Sequence, residues 1–374
     1  MVKILHCADI HFDSPFSGID AATAESRREE QRELFKKLIC YAKNSRIDLM
    51  LIPGDLFDRT YTTFKSVEYV CELLATLDCP VVISPGNHDP FCGSGCYSGN
   101  FPENVHIFTK EELSYFDFDN IGTDNAGVRV YGYAFTSARY EENPLDSMQL
   151  EDNGRINILC AHADIMSPLS KYAPITPRSL ADSGFVYAAL GHVHNPPEAE
   201  KLGSTVVAYS GVLEGRSFDE TGFGGAMLVE IDEGGVRCDR VALASRRYMI
   251  ETIDISGAEN DTDALNKIAD RIAVCGYRDE TALRVVLTGA VSPEYIPSPE
   301  RLRESIEGLY MLDVKDETLP ILDFEALEHD MGARGEFYRT LVRRMKEGSD
   351  EERATAAMAL RIGLCAIDGK PIIL

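Results

Sequence analysis

Val2-Lys3-Ile4-Leu5-His6-Cys7-Ala8-Asp9-Ile10-His11 opens the chain with an apolar run that ends in a carboxylate and an imidazole. The same plan recurs four times before residue 195. Asp48–Ile52 leads into Gly54-Asp55-Leu56-Phe57-Asp58, and Val81–Ser84 into Gly86-Asn87-His88-Asp89. Ile156–Cys160 leads into Ala161-His162-Ala163, and Val186–Leu190 into Gly191-His192-Val193-His194. Short apolar runs bounded by turn residues read as buried strands. In an α/β sheet, ligand sites lie just beyond the carboxyl ends of such strands. The chain has 8 histidines, and His11, His88, His162, His192 and His194 all fall in these segments.

Helical patterns flank these strands. Ala24–Ser45 carries an apolar stripe through Leu34, Leu38 and Tyr41, and Phe64–Leu77 is a second helix. Beyond Asn100 the pattern turns to strands, near Val128–Tyr133, Val206–Tyr209, Ala226–Ile231 and Arg237–Ala242. The expectation is an α/β fold, a layered αββα sandwich of two packed sheets flanked by helices, over residues 1–245. After Ser245, Tyr248–Ile255, Asp263–Val274, Ala282–Thr288, Pro299–Leu309 and Tyr310–Val314 read as strand, helix, strand, helix, strand. They predict a smaller α+β domain over 246–318, followed by a helical C-terminal tail over 319–374. Leu341, Val342, Met345 and Leu360 offer that tail an apolar stripe, for docking a partner or for packing on its own chain.

Composition sets limits. Apolar residues make up 44% and charged residues 26% of the 374 residues, ordinary values for a globular chain. No run approaches the roughly 20 apolar residues of a membrane helix. The opening residues lack the succession of a signal peptide. The 10 cysteines are scattered rather than arranged as a disulfide framework, so a reducing, cytoplasmic setting is expected. Only Cys92 and Cys96 are close, and a loop role is the simpler reading for them. The formal charge of −24 is unlike a protein that grips nucleic acid with its whole surface. Either metal ions hold the substrate phosphates, or a partner supplies the positive field, or the substrate is not nucleic acid.

Carboxylates, an amide and imidazoles converging from five strand ends are the donor set of a two-metal site. Two divalent cations about 3.5–4 Å apart can clamp the attacking and leaving oxygens of a phosphoryl displacement. Asp55 is the natural bridging carboxylate, because Gly54 lets the backbone turn sharply before it. Asp9 and His11, two residues apart on an extended segment, point to one face, and His192 and His194 share that spacing. Any one of these histidines alone reads as structural; their joint arrangement does not. His6, His106 and His329 lie outside the pattern and read as structural. Asp13 and Arg59 read as surface residues beside the motifs, and Gly211–Gly225, with Arg216, as a loop joining strands.

The order of motifs resembles the calcineurin-like metallophosphoesterase superfamily, with D-x-H, G-D-x-x-D, G-N-H-D/E, a lone H and G-H-x-H. The resemblance implies one metal on Asp9, His11, Asp55 and His194, and a second on Asp55, Asn87, His162 and His192. It implies catalytic roles for His88, facing the phosphate and stabilising or protonating the leaving oxygen, and for Asp89, orienting His88. Asp58 has a similar supporting place, and a hydroxide between the metals is the implied nucleophile. The segments His6–Phe16, Gly54–Arg59 and Pro85–Pro90 are similar to the SbcD and Mre-type DNA repair exonucleases. Asp13-Ser14-Pro15-Phe16 and the C-terminal Ala359–Lys370 segment look most like the YhaO-type branch.

That likeness implies cleavage of DNA, as an exonuclease with or without single-strand endonuclease action. Mn²⁺ is the implied metal, with Mg²⁺, Fe²⁺ and Zn²⁺ also suited to the donor set. It further implies a homodimer, an SMC-like ATPase partner, and a DNA-capping role for the domain after Ser245. Two alternatives stand beside it. One is a phosphodiesterase or phosphatase acting on a small or protein phosphoester with the same centre. The other is a binding subunit with a purely structural centre, against which an intact His88 argues.

Overall fold

Residue alternation builds the first layer. In β1 (Val2–His6), Val2 and Ile4 face one way and Leu5 the other, as the two-residue period of a strand requires. The computed structural model describes residues 1–16, 20–93, 95–146, 148, 150, 153–292, 294–321 and 324–367. They divide into two compact units, Met1–Ser245 and Arg246–Leu374.

In the first unit, β1 is followed by α1 (Ala21–Ser45), β2 (Leu49–Ile52), α2 (Phe64–Leu74), β3 (Val81–Ile83) and β4 (Val105–Ile107). Next come β5 (Ser114–Ile121), β6 (Ala126–Gly132), β7 (Ile156–His162), α3 (Pro177–Asp182) and β8 (Tyr187–Gly191). The unit continues with β9 (Glu200–Leu202), β10 (Thr205–Tyr209), β11 (Gly222–Asp232) and β12 (Gly235–Asp254). One sheet runs β12-β11-β1-β2-β3-β4, with β1 to β4 parallel and β11 antiparallel to β1. The other runs β5-β6-β7-β8-β10-β9, with β6, β7, β8 and β10 parallel.

Val2, Ile4, Leu49 and Leu51 of one sheet pack against Val128, Val130, Ile158 and Ala189 of the other. The outer face of the first sheet, with Leu5, Met50, Ile52 and Val81, is covered by Leu34, Phe35, Leu38 and Ile39 of α1 and by Val67, Val70 and Leu74 of α2. Each such fully buried side chain contributes about 1.5–3 kcal/mol. Asp20 starts α1 by accepting the amides of Ala22 and Thr23, both at 3.0 Å. The outer face of the second sheet is closed by Leu145, Leu180 of α3 and Phe185. The expected αββα sandwich is the fold of this unit.

The expected break between strands at Ser245 is absent. The chain crosses from one unit to the other within β12, because Leu243–Arg247 contains no glycine or proline to stop the strand. In the second unit, the later part of β12 pairs in parallel with β13 (Thr281–Thr288), and β13 with β15 (Met311–Asp316). The short pair β14 (Ala290–Val291) and β16 (Leu319–Pro320) lies beside this sequence. The crossovers carry α4 (Asp261–Cys275) and α5 (Pro299–Glu304). α5 ends five residues before the expected Leu309; Ser305 turns back on Arg301 through both its amide and its hydroxyl.

The chain then forms α6 (Phe324–His329), α7 (Ala333–Glu347) and α8 (Asp350–Ile367). Leu341 and Leu360 are buried with Tyr338, Ala356 and Leu364, and Val342 and Met345 pack against them. Their apolar stripe is therefore committed to packing within the chain. The Asp368–Lys370 end of the segment likened to the YhaO-type branch lies outside the described residues. Among the described residues no helix is long and apolar enough to cross a membrane.

Candidate metal centre

The chain leaves β1 through Asp9 and His11, which both take left-handed backbone angles, φ 50° and 49°. The extended segment expected from the spacing is thus replaced by a curled one. It is laced to the loop after β2 by the amides of Asp9, His11 and Phe12, which donate to the carbonyls of Gly54, Asp55 and Leu56 at 3.2, 2.9 and 3.0 Å. Asp55 (φ 50°) and His192 (φ 106°) also have positive φ, which residues with a side chain rarely adopt. Such residues cost about 1–3 kcal/mol each, and here they gather at one place. Gly54 has φ +89°, and a Cβ on it would stand 2.4 Å from Nδ1 of His162. A side chain there has no room.

Three sets of ligand atoms converge, each within 4.8 Å: Asp9, His11 and His194; Asp9, Asp55 and His162; and His11, Asp58 and His88. Asp55 Oδ2 stands 3.7 Å from Nε2 of His11 and 3.5 Å from Nε2 of His162, between the imidazoles of two sets. Its Oδ1 accepts the His88 amide at 2.9 Å. Asp9 accepts the His192 amide through both oxygens, at 3.2 and 3.1 Å. The His192 ring is brought alongside, with its centroid 5.2 Å from that of His162 and 4.7 Å from that of Tyr172, but it falls in none of the three sets. His88 is exposed at the rim, edge-on to His11 at 4.8 Å between centroids.

These donors fit metal ions. Pro53 O can only accept, so Nδ1 of His162, 3.1 Å away, carries the ring proton. That leaves the Nε2 lone pair facing Asn87 Oδ1 at 2.8 Å, acceptor against acceptor. Both ring nitrogens of His11 are buried without a hydrogen-bond partner. Burial holds His11 well below its usual range, His162 near about 3 and His192 near about 4, so these imidazoles are neutral. Burial also pushes Asp9 up to about 8, with His194 opposing and Asp55 adding to the rise, and it pushes Asp55 up as well. Neutral lone pairs beside carboxylates that resist ionisation are what a cation reverses.

Asp89 does not touch the His88 ring, contrary to the expected role. Its carboxylate accepts the amides of Gly86 (2.7 Å), Phe57 (3.1 Å) and Asp55 (3.2 Å), and the hydroxyl of Tyr97 (2.6 Å). It knits two motif loops together, while Asp58 is the carboxylate beside His88. Asp13 is buried rather than on the surface, bound to Arg32 at 3.0 Å and to the Thr63 amide at 3.0 Å. Arg59 is exposed, as expected.

Sequence reading also missed Glu220. Its Oε1 accepts Nδ1 of His194 at 2.7 Å, and Arg216 closes on the same carboxylate. Burial opposes ionisation of Glu220, but the hydrogen bonds from His194 and Arg216 win and bring it down to about 2. Burial likewise lowers His194, yet the Glu220 bond leaves it raised overall. No strand-end pattern marks Glu220; the only signal was its place in the charged Gly211–Gly225 stretch.

Residues 2–196 match the model of the calcineurin-like phosphoesterase family. The chain is 26% identical over 329 residues to the uncharacterized metallophosphoesterase YhaO of Bacillus subtilis (strain 168), covering 84% of this chain and 79% of that protein. It is 25% identical over 299 residues to the DNA double-strand break repair protein Mre11 of Aeropyrum pernix, covering 73% and 68%. It is 24% identical over 248 residues to a subunit of the nuclease SbcCD of Staphylococcus epidermidis, covering 59% and 63%.

Proposed function

The chain belongs to the calcineurin-like phosphoesterase family and is a metal-dependent phosphoesterase, and from that premise we propose that it hydrolyses phosphodiester bonds of DNA in DNA repair. The observation that carries the reading is the convergence of Asp9, His11, Asp55, His162 and His194 with His88 at the exposed rim. Two bound divalent ions, Mn²⁺ in this reading, would supply charge neutralisation and a water ionised near neutral pH. Asp9, His11, Asp55 and His194 would hold one ion and Asp55, Asn87, His162 and His192 the other. His88 faces the incoming phosphate and gives a proton to the departing oxygen, with the Asp58 carboxylate nearby. The choice of DNA rests on relatives whose names place them in double-strand break repair and in the SbcCD nuclease.

The charge of −24 favours a second reading, in which the same centre acts on a small or protein phosphoester. In the DNA reading, an SMC-like ATPase partner brings the positive field, residues 246–318 serve as the capping domain, and the chain works as a homodimer. The test is cleavage of end-labelled duplex and single-stranded DNA with Mn²⁺, beside a chromogenic phosphodiester and a His88→Ala control. Manganese-dependent DNA cleavage that falls about 10²–10⁴-fold in the variant supports the reading. Turnover of the small ester with DNA left intact, with or without an SMC-type ATPase, overturns the DNA assignment.

A further inference from the structure

Glu220 is 7% exposed, so its carboxylate sits where an unpaired charge is costly. Four groups converge on it. Nδ1 of His194 reaches Oε1 at 2.7 Å, and the Arg216 amide and Nε reach Oε2 at 2.8 and 3.2 Å. Arg216 Nη2 closes on Oε1. Arg216 continues through Nη1 to the Ser14 hydroxyl at 3.1 Å, and that hydroxyl donates to His11 O at 3.0 Å. One network thus joins the ring of His194 to the backbone of His11, two members of a single ligand set with Asp9. His162 is oriented separately, by Pro53 O.

The chemistry of the pair decides the tautomer. A carboxylate accepts, so Nδ1 of His194 carries its proton and the lone pair lies on Nε2. That nitrogen faces Asp9 Oδ1 at 3.8 Å. Turning the ring over would set a C–H against Glu220 and remove a charge-assisted hydrogen bond. Arg216, read from the sequence as part of a loop joining strands, has its guanidinium committed to this clamp.

We propose that Glu220, clamped by Arg216, is a positioning residue for His194 that sets the metal affinity of the Asp9–His11–His194 subsite and leaves the other subsite alone. The proposal rests on the two-metal reading and is independent of the substrate. The test is calorimetric titration of the metal-free full chain with Mn²⁺, repeated with Co²⁺ to record the visible ligand-field spectrum. For Glu220→Ala, one class of sites is expected to weaken about 10–100-fold while the other holds its affinity. Glu220→Gln keeps an oxygen that accepts from Nδ1 and is expected to recover most of the affinity and the wild-type Co²⁺ spectrum. It also serves as the test if the alanine variant fails to fold, with a smaller loss still confined to one class. Wild-type protein that binds no Mn²⁺ overturns the two-metal reading itself. Two sites in the wild type, with both affinities unchanged or both equally weakened in the variants, overturn the role of Glu220 alone.

Discussion

Nε2 of His162 and Oδ1 of Asn87 face each other across 2.8 Å as two acceptors, because the one ring proton of His162 is given to Pro53 at Nδ1. With the Asn87 amide in this orientation, two lone pairs converge where a cation would take both.

Metal should accordingly stabilise the fold. At a free Mn²⁺ concentration 100 times the dissociation constant, about 2.7 kcal/mol is expected, read as a rise in thermal midpoint that a chelator reverses. Asp9→Asn should abolish that rise. Burial first, and Asp55 in addition, push the Asp9 carboxyl up to about 8, so the metal-free fold binds a proton there that the unfolded chain has lost. The Asp9 contribution to the stability of the metal-free wild type then falls as pH rises from the ordinary carboxylate range to about 8, and the asparagine variant should remove that part of the pH dependence.

Asp89 and His88, neighbours in sequence, should fail in different ways. Asp89→Ala leaves the buried amides of Gly86, Phe57 and Asp55 without their acceptor, at a cost on the order of 3 kcal/mol. It is expected to lower the urea midpoint and metal affinity together. His88→Ala should leave both near the wild-type values, because the side chain is exposed, and lower only the turnover. A His88→Ala protein as unstable as Asp89→Ala would contradict this division.

His6 lies under the centre, with Nε2 donating to Leu190 O at 3.1 Å and Nδ1 accepting from the Tyr187 hydroxyl at 2.8 Å. Burial, with Arg240 adding to it and Leu190 opposing, brings its pKa down to about 3. Between that value and the usual range near about 6.5 the unfolded chain is protonated and the folded chain is not. The His6 contribution to stability is therefore complete above the usual range and declines as pH falls below it. His6→Gln should make the decline shallower by about 1.4 kcal/mol per pH unit, as checked by urea midpoints at several acidic pH values.

Gly54→Ala combines a left-handed backbone with a Cβ 2.4 Å from the His162 ring. The backbone part alone costs about 1–3 kcal/mol. The variant should melt lower and should lose Mn²⁺ affinity as well, because His162 is the group displaced. An intact calorimetric titration would show that the ring has another place to go.

Much of this was legible along the chain. Strands β1, β2, β3, β7 and β8 follow from apolar runs ended by turn residues, and the motif residues follow from their place at those ends, since the backbone direction of a parallel sheet decides where its loops emerge. What the sequence could not determine was anything set by groups distant in sequence. The left-handed turns at Asp9 and His11 come from lacing to the Gly54–Leu56 backbone, not from local spacing. Asp89 turned away from His88 because three amides from two loops compete for its oxygens. Glu220, 26 residues beyond His194, reaches that ring only after β10 and the loop before β11 have been placed. Periodicity records which face a residue presents; which partner meets it there is decided by packing and by the need to pair every buried charge.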